Sequence, residues 1–206
     1  GLYKKIQKLA AQLPGLQSVI QEEVYQTEIK ECCKYYEDYP LLRQKLTVLA
    51  NQLPEVFYNG LYSAAAGLTI ATELKLSKVE IRATFIGGLL HNSGFLHLDP
   101  ALIESEGDLE HEDNRSVQAH PIIAKHFFEQ IPGLPKLFAE AVGDHHERND
   151  GTGYPKHKFG EELSMASQII AFTDAIITAY KSCEHHGDYA HQLMMTVMQF
   201  NNSVHF

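Results

Sequence analysis

Apolar residues recur at every third or fourth position along most of this chain and never alternate in twos for long enough to make a strand. A period near 3.6 buries one face of a helix and a period of two buries one face of a sheet, so the pattern dictates an all-α fold. Leu2, Ile6, Leu9, Ala10 and Leu13 predict a first helix, ended by Pro14-Gly15. Val19, Ile20, Val24, Ile29 and Cys33 carry the same period to about Tyr36, and Pro40 opens a helix with Leu42, Leu46, Leu49 and Leu53. A long helix over 54–76 shows Leu61, Ala65, Leu68, Ala71 and Leu74 on one face, and its small residues Ala64 to Gly67 permit a close neighbour. Ser77 and Glu80 spell a capping box. The helix it starts carries Ile81, Phe85, Leu89 and Leu90 inward and arrives at His91-Asn92, where Gly94 is expected to stop it.

Asp99-Pro100 fits a helix cap, and the acidic, aperiodic stretch 104–115 reads as a surface loop. A helix from about Ser116 carries His120, Ile123, Phe127 and Phe128 to Pro132-Gly133, and another runs from Pro135 to His145-His146. Residues 161–180 form a strongly apolar helix with Ile169, Ile170, Phe172 and Ile176, interrupted by Asp174, and Leu193, Met194 and Met198 predict a last one. Residues 1–53 hold no cluster of reactive side chains. They are expected to form an N-terminal helical extension that packs, dimerises or connects to another domain, with the functional domain over 54–206. The leading Gly1 reads as the mark of a cut, so further regions are expected beyond the ends of the sequence.

With 206 residues, 21% charged and 44% hydrophobic, the chain can bury a real core. Its net charge of -9 argues against a duplex nucleic-acid binder, which needs a basic face. A small phosphorylated ligand stays open, because a bound metal brings its own positive charge. Cys32, Cys33 and Cys183 form no CxxC pair, which suits a reducing cytoplasm, and no run approaches the ~18 apolar residues of a membrane span. Histidine is the outlier, with 12 residues. His97, His111, His157, His185, His186, His191 and His205 are read as surface residues.

The adjacent pair opens the stretch His145-His146-Glu147-Arg148-Asn149-Asp150-Gly151-Thr152-Gly153-Tyr154-Pro155. An adjacent imidazole pair can point both rings at one metal, and the loop after it needs turns at Gly151 and Gly153. Four points place ligand-type side chains in or beside apolar faces: His91-Asn92, His120, His145-His146 and Asp174. A lone His or Asp among apolar residues is commonly a hydrogen-bonded core residue. Asp174, between Phe172 and Ile176, needs a cation or strong donors to stay charged. Together the four points favour a metal site.

These residues resemble the HD-GYP family of metal-dependent phosphohydrolases. His145-His146-Glu147, Arg148 and Asp150-Gly151-Thr152-Gly153-Tyr154-Pro155 match its namesake motif, and His91-Asn92-Ser93-Gly94 sits where the family has His-Asp-x-Gly. His120-Pro121 matches its next histidine and Asp174 its final metal-binding aspartate; the resemblance covers roughly residues 55–180. It implies an HD-domain helical bundle holding divalent transition metals, often iron or manganese, which hydrolyse a phosphodiester of cyclic di-GMP.

The chain also departs from the family. Asn92 replaces the bridging aspartate, and an amide is a poor bridge between two dications. Counting back from His91, the first ligand histidine falls on Asn59, while its glutamate survives as Glu55. Phe95 stands in place of the phosphate-contacting lysine, so no residue is assigned a catalytic role. Metal ligands are expected among His91, His120, His145, His146 and Asp174, with Glu55, Asn59 and Asn92 as weak ones. At most one ion is expected to be well occupied, at His120, His145 and His146. Arg148, Asp150, Gly151, Gly153, Tyr154 and Pro155 are expected to form a ligand-binding or interaction loop. The expected role is a degenerate regulatory or protein-interaction module of cyclic di-GMP signalling, with partners such as diguanylate cyclases, and a homodimer. The alternatives are a residual one-metal phosphohydrolase acting on cyclic di-GMP or another phosphate ester, and a helical scaffold with relic histidines.

Overall fold

The computed structural model describes residues 1–12, 14–99, 101–102 and 111–186. The expected helix at Leu193, Met194 and Met198 and most of the loop expected over 104–115 lie outside these residues. In chain order come α1 (Leu2–Ala10), α2 (Pro14–Ile20), α3 (Glu23–Glu37), α4 (Pro40–Gln52), α5 (Pro54–Glu73) and α6 (Lys78–Leu90). A 3-10 helix follows (His91–His97), then α7 (His111–Gln118), α8 (His120–Glu129), α9 (Lys136–Gly143), a 3-10 turn (Gly160–Glu162) and α10 (Met165–His186). Among the described residues there is one isolated β-bridge, Asp150 with Phe159, and no strand. The all-α expectation holds.

The bundle centres on α5, which packs along α6 and α10 and is also met by α1, α3 and α4. The close neighbour expected for α5 is α6. A Cβ on Gly88 would stand 2.8 Å from Ala64 N, and one on Gly60 would stand 2.5 Å from Leu89 O. Ser63 Oγ and Thr173 Oγ1, both buried and 2.6 Å apart, fix α10 against α5 one residue before Asp174. Ser77 caps α6 as its sequence demands, with the Glu80 carboxylate accepting the Ser77 N–H at 2.9 Å. One apolar core runs from Leu2 and Ile6 of α1 through Leu61 and Leu68 to Ile169 and Ile170 of α10. Lys78 of α6 also pairs with Glu28 and Glu31 of α3.

Five boundaries differ from the sequence pattern. The helix expected to run on to Tyr36 is broken at residues 21–22, because Tyr25 and not Val24 turns inward; Val24 is exposed. Residues 111–115, expected in a loop, belong to α7, a single short helix whose one buried apolar side chain, Val117, is too little to show a period. Gly94 does not stop the chain, which continues as a 3-10 helix to His97. The helix after Pro135 closes at Gly143, so the His pair lies in the turn beyond it. The following helix starts at Met165 rather than Glu161.

Candidate metal centre

Three of the four ligand-type points share one local device. His91, His120 and His145 each stand at a helix break and fold back onto the backbone carbonyl three residues upstream. The distances from Nδ1 are 2.9 Å to Gly88 O, 2.7 Å to Val117 O and 2.6 Å to Val142 O. The breaks supply the acceptors. Pro121 has no N–H to donate one turn back to Val117 O, which leaves that carbonyl for the imidazole. A carbonyl only accepts, so each Nδ1 carries hydrogen and each Nε2 of a neutral ring presents a lone pair.

Nε2 of His120 and Nε2 of His145 face each other at 3.3 Å. Two lone pairs at that distance repel unless a cation lies between them. Imidazoles bound at about 2.0–2.1 Å to one tetrahedral ion stand about 3.3–3.4 Å apart, so the pair matches shared coordination. His146 completes the group: ligand atoms of His120, His145 and His146 all lie within 4.8 Å of one another. Burial pushes His120 down to about 4 and His146 to about 3, and pushes His145 well below its usual value with help from its neighbouring imidazoles. All three are therefore neutral and able to coordinate at neutral pH. The residues fit a divalent transition metal.

The other half of the site is arranged differently. His91 Nε2 lies 3.0 Å from Asp174 Oδ1, and Asn92 Nδ2 donates to the same oxygen at 3.3 Å. Burial alone would raise the Asp174 carboxyl, but the His91 ring beside it holds it well below the carboxylate range. Asn92 Oδ1 is buried without a partner. The His91 ring meets that of His145 edge to face at 4.9 Å, so the two halves adjoin. Glu55 is not brought to the cluster: its side chain is 89% exposed and lies 3.8 Å from Lys181. Asn59 is half-buried on α5 and hydrogen-bonds none of the imidazoles.

Phe95 is buried and its ring lies over His120, with centroids 4.1 Å apart. Gly94 makes this possible. Its Cβ would fall 2.1 Å from His120 O, so only glycine lets the 3-10 helix touch the start of α8. Neither this contact nor the aromatic cover of His120 is visible in residue spacing.

In the loop, Gly151 takes φ +76 and the Tyr154–Pro155 peptide is cis. Asp150 Oδ1 accepts from Thr152 N at 3.0 Å, and Arg148 Nη1 donates to Glu147 O at 2.9 Å. Asp144, which sequence reasoning passed over, and Glu147, which it named only as part of the motif, are the two buried carboxylates that flank the His pair. Asp144 Oδ2 binds Lys158 Nζ at 2.6 Å, and Glu147 accepts the backbone N–H groups of Lys156 and Lys158 at 2.6 and 3.0 Å. Acidic residues on both sides of an adjacent His pair were the available signal.

The model of the HD domain family matches residues 36–200. Among curated proteins, the chain is 28% identical over 130 residues to the 3'3'-cGAMP-specific phosphodiesterase 1 of Vibrio cholerae, covering 63% of this chain and 30% of that one. It is 33% identical over 105 residues to the 3'3'-cGAMP-specific phosphodiesterase 3 of the same organism, covering 51% and 23%. It is 32% identical over 117 residues to the cyclic di-GMP phosphodiesterase response regulator RpfG of Xanthomonas campestris, covering 54% and 30%. The chain thus spans under a third of the length of these relatives. Among solved structures, Bd1817, a HDG"Y"P protein from Bdellovibrio bacteriovorus, shares the fold with a TM-score of 0.58 at 17% identity, over 98% of this chain and 71% of that one. Among the described residues, no helix is long and apolar enough to cross a membrane.

Proposed function

Starting from a chain that belongs to the HD domain family, we propose an HD-GYP-type module of cyclic di-GMP signalling that holds one divalent transition metal and has weak or no phosphodiesterase activity. In this reading the module serves regulation or protein interaction. The observation that carries it is the division of the site: three imidazoles converge, whereas Asn92 and Phe95 are uncharged at positions where the family resemblance expects charge and Glu55 points outward.

His120, His145 and His146 would hold the ion, and iron or manganese suits the resemblance. When bound, such an ion supplies a polarised water and neutralises phosphoryl charge. The chain's own groups do less than that chemistry needs. Asn92 brings no negative charge to a bridging position, and Phe95 brings an apolar ring in place of an ammonium. His91 Nε2 and Asp174 Oδ1 stand 3.0 Å apart. The relatives' named substrates, cyclic di-GMP and 3'3'-cGAMP, support a cyclic dinucleotide as the small-molecule partner.

The Asp174 carboxylate beside the imidazole cluster favours a second reading, a residual one-metal phosphohydrolase. Turnover of cyclic di-GMP by protein reconstituted with iron or manganese decides between them. The expected outcome is up to one ion per chain and product formation no greater than in His145→Ala. Robust His145-dependent production of the linear dinucleotide or GMP would replace the first reading with the second.

A further inference from the structure

Two of the three converging imidazoles are oriented by hydrogen bonds, and the third is not. His120 and His145 are fixed through Nδ1 by Val117 O and Val142 O. Among the described residues His146 makes no side-chain hydrogen bond, and its contacts are with rings. The most parallel of these rings is Tyr154, which lies 4.7 Å from His146 at an interplanar angle of 16°. A metal ligand with no partner on its second nitrogen needs another means of holding its ring plane.

The backbone delivers Tyr154 to that place. Tyr154 N donates to His146 O at 3.0 Å, which closes the loop back onto the residue its ring covers. Glu147, 2% exposed, accepts the N–H groups of Lys156 and Lys158 on the far arm. Asp144, on the other side of the His pair, takes the Lys158 ammonium at 2.6 Å. Two buried carboxylates thus tie residues 156–158 to the turn that carries His145 and His146, and Tyr154 lies in the chain between that turn and the tied residues.

We propose that Tyr154 is a positioning residue for His146, held in register by Glu147 and Asp144, and that the Gly-Tyr-Pro loop of this chain sets the geometry of its third metal ligand. The inference rests on the single-ion reading above. It assigns the Tyr154 ring face, not its hydroxyl, to the task, so phenylalanine should replace it and alanine should not.

Cobalt(II) is the probe, since its visible spectrum reports ligand number and angle. Wild-type protein and Tyr154→Phe are expected to bind cobalt with the same affinity and the same spectrum. Tyr154→Ala and Glu147→Gln are expected to bind about 10-fold more weakly with altered band positions, the scale found when outer-shell partners of a metal ligand are removed. Wild-type affinity and spectrum in Tyr154→Ala would overturn the inference. In metal-free protein, nuclear Overhauser contacts between the His146 and His120 rings should persist in Tyr154→Phe and vanish in Tyr154→Ala. If wild-type protein takes up no cobalt, the single-ion reading fails. The metal-free ring contacts then still decide whether Tyr154 holds His146, and their persistence in Tyr154→Ala would refute it.

Discussion

His120 Nε2 and His145 Nε2 point at each other across 3.3 Å while both Nδ1 atoms are committed to backbone carbonyls. Such a pair is poised to gain stability from a cation and has no hydrogen of its own to share.

Metal should therefore stabilise the fold. Manganese or iron(II) at about 100 times its dissociation constant should add about 2.7 kcal/mol, seen as a raised Tm, because the unfolded chain offers no such cluster. His120→Ala and His145→Ala should abolish the shift. Glu55→Ala, altering a side chain turned toward Lys181, should leave it unchanged.

Restoring the imidazole and carboxylate that the family resemblance expects should raise capacity. Asn59→His combined with Asn92→Asp should take bound metal from one ion per chain toward two, read by elemental analysis. Unchanged stoichiometry would mean that the packing around His91 and Asp174, not the ligand identities, keeps a second ion out.

Acid should weaken the metal-free protein. His120 and His146 titrate at about 4 and about 3 when folded, against about 6.5 in an unfolded chain. As pH falls below about 6.5 the unfolded state takes up these protons first. The contribution is thus intact above that pH and is lost progressively as pH falls through 4 and 3. Urea unfolding at pH 7.5 and pH 5 should differ in that direction, by roughly 2 kcal/mol for each of the two groups.

Gly94→Ala should be costly. A methyl 2.1 Å from His120 O must displace the start of α8 or the 3-10 helix, so a loss of about 1–3 kcal/mol in thermal or urea unfolding is expected, together with weaker metal uptake.

Most helices were legible because their apolar faces repeat over three or more turns, and His120, His145 and His146, which the structure brings together, were legible because they sit in recognisable local motifs. Gly94 shows where this stops. Its sequence position suggests a helix end, but its function is set by a backbone carbonyl 26 residues away, and one-dimensional spacing carries no trace of that. The same holds for Phe95 on His120 and for Lys158 on Asp144, contacts made between separate elements. α7 was missed for a different reason: a two-turn helix with one buried apolar residue has no period to read.

The core that runs unbroken from Leu2 to Ile170 also bears on how the protein can be handled. Removing residues 1–53 would strip the cover from Phe57 and Leu61 along α5 and expose apolar surface to water. A fragment trimmed that way should lose solubility before it loses helix, so purification yield would fall sharply with the first apolar turn removed.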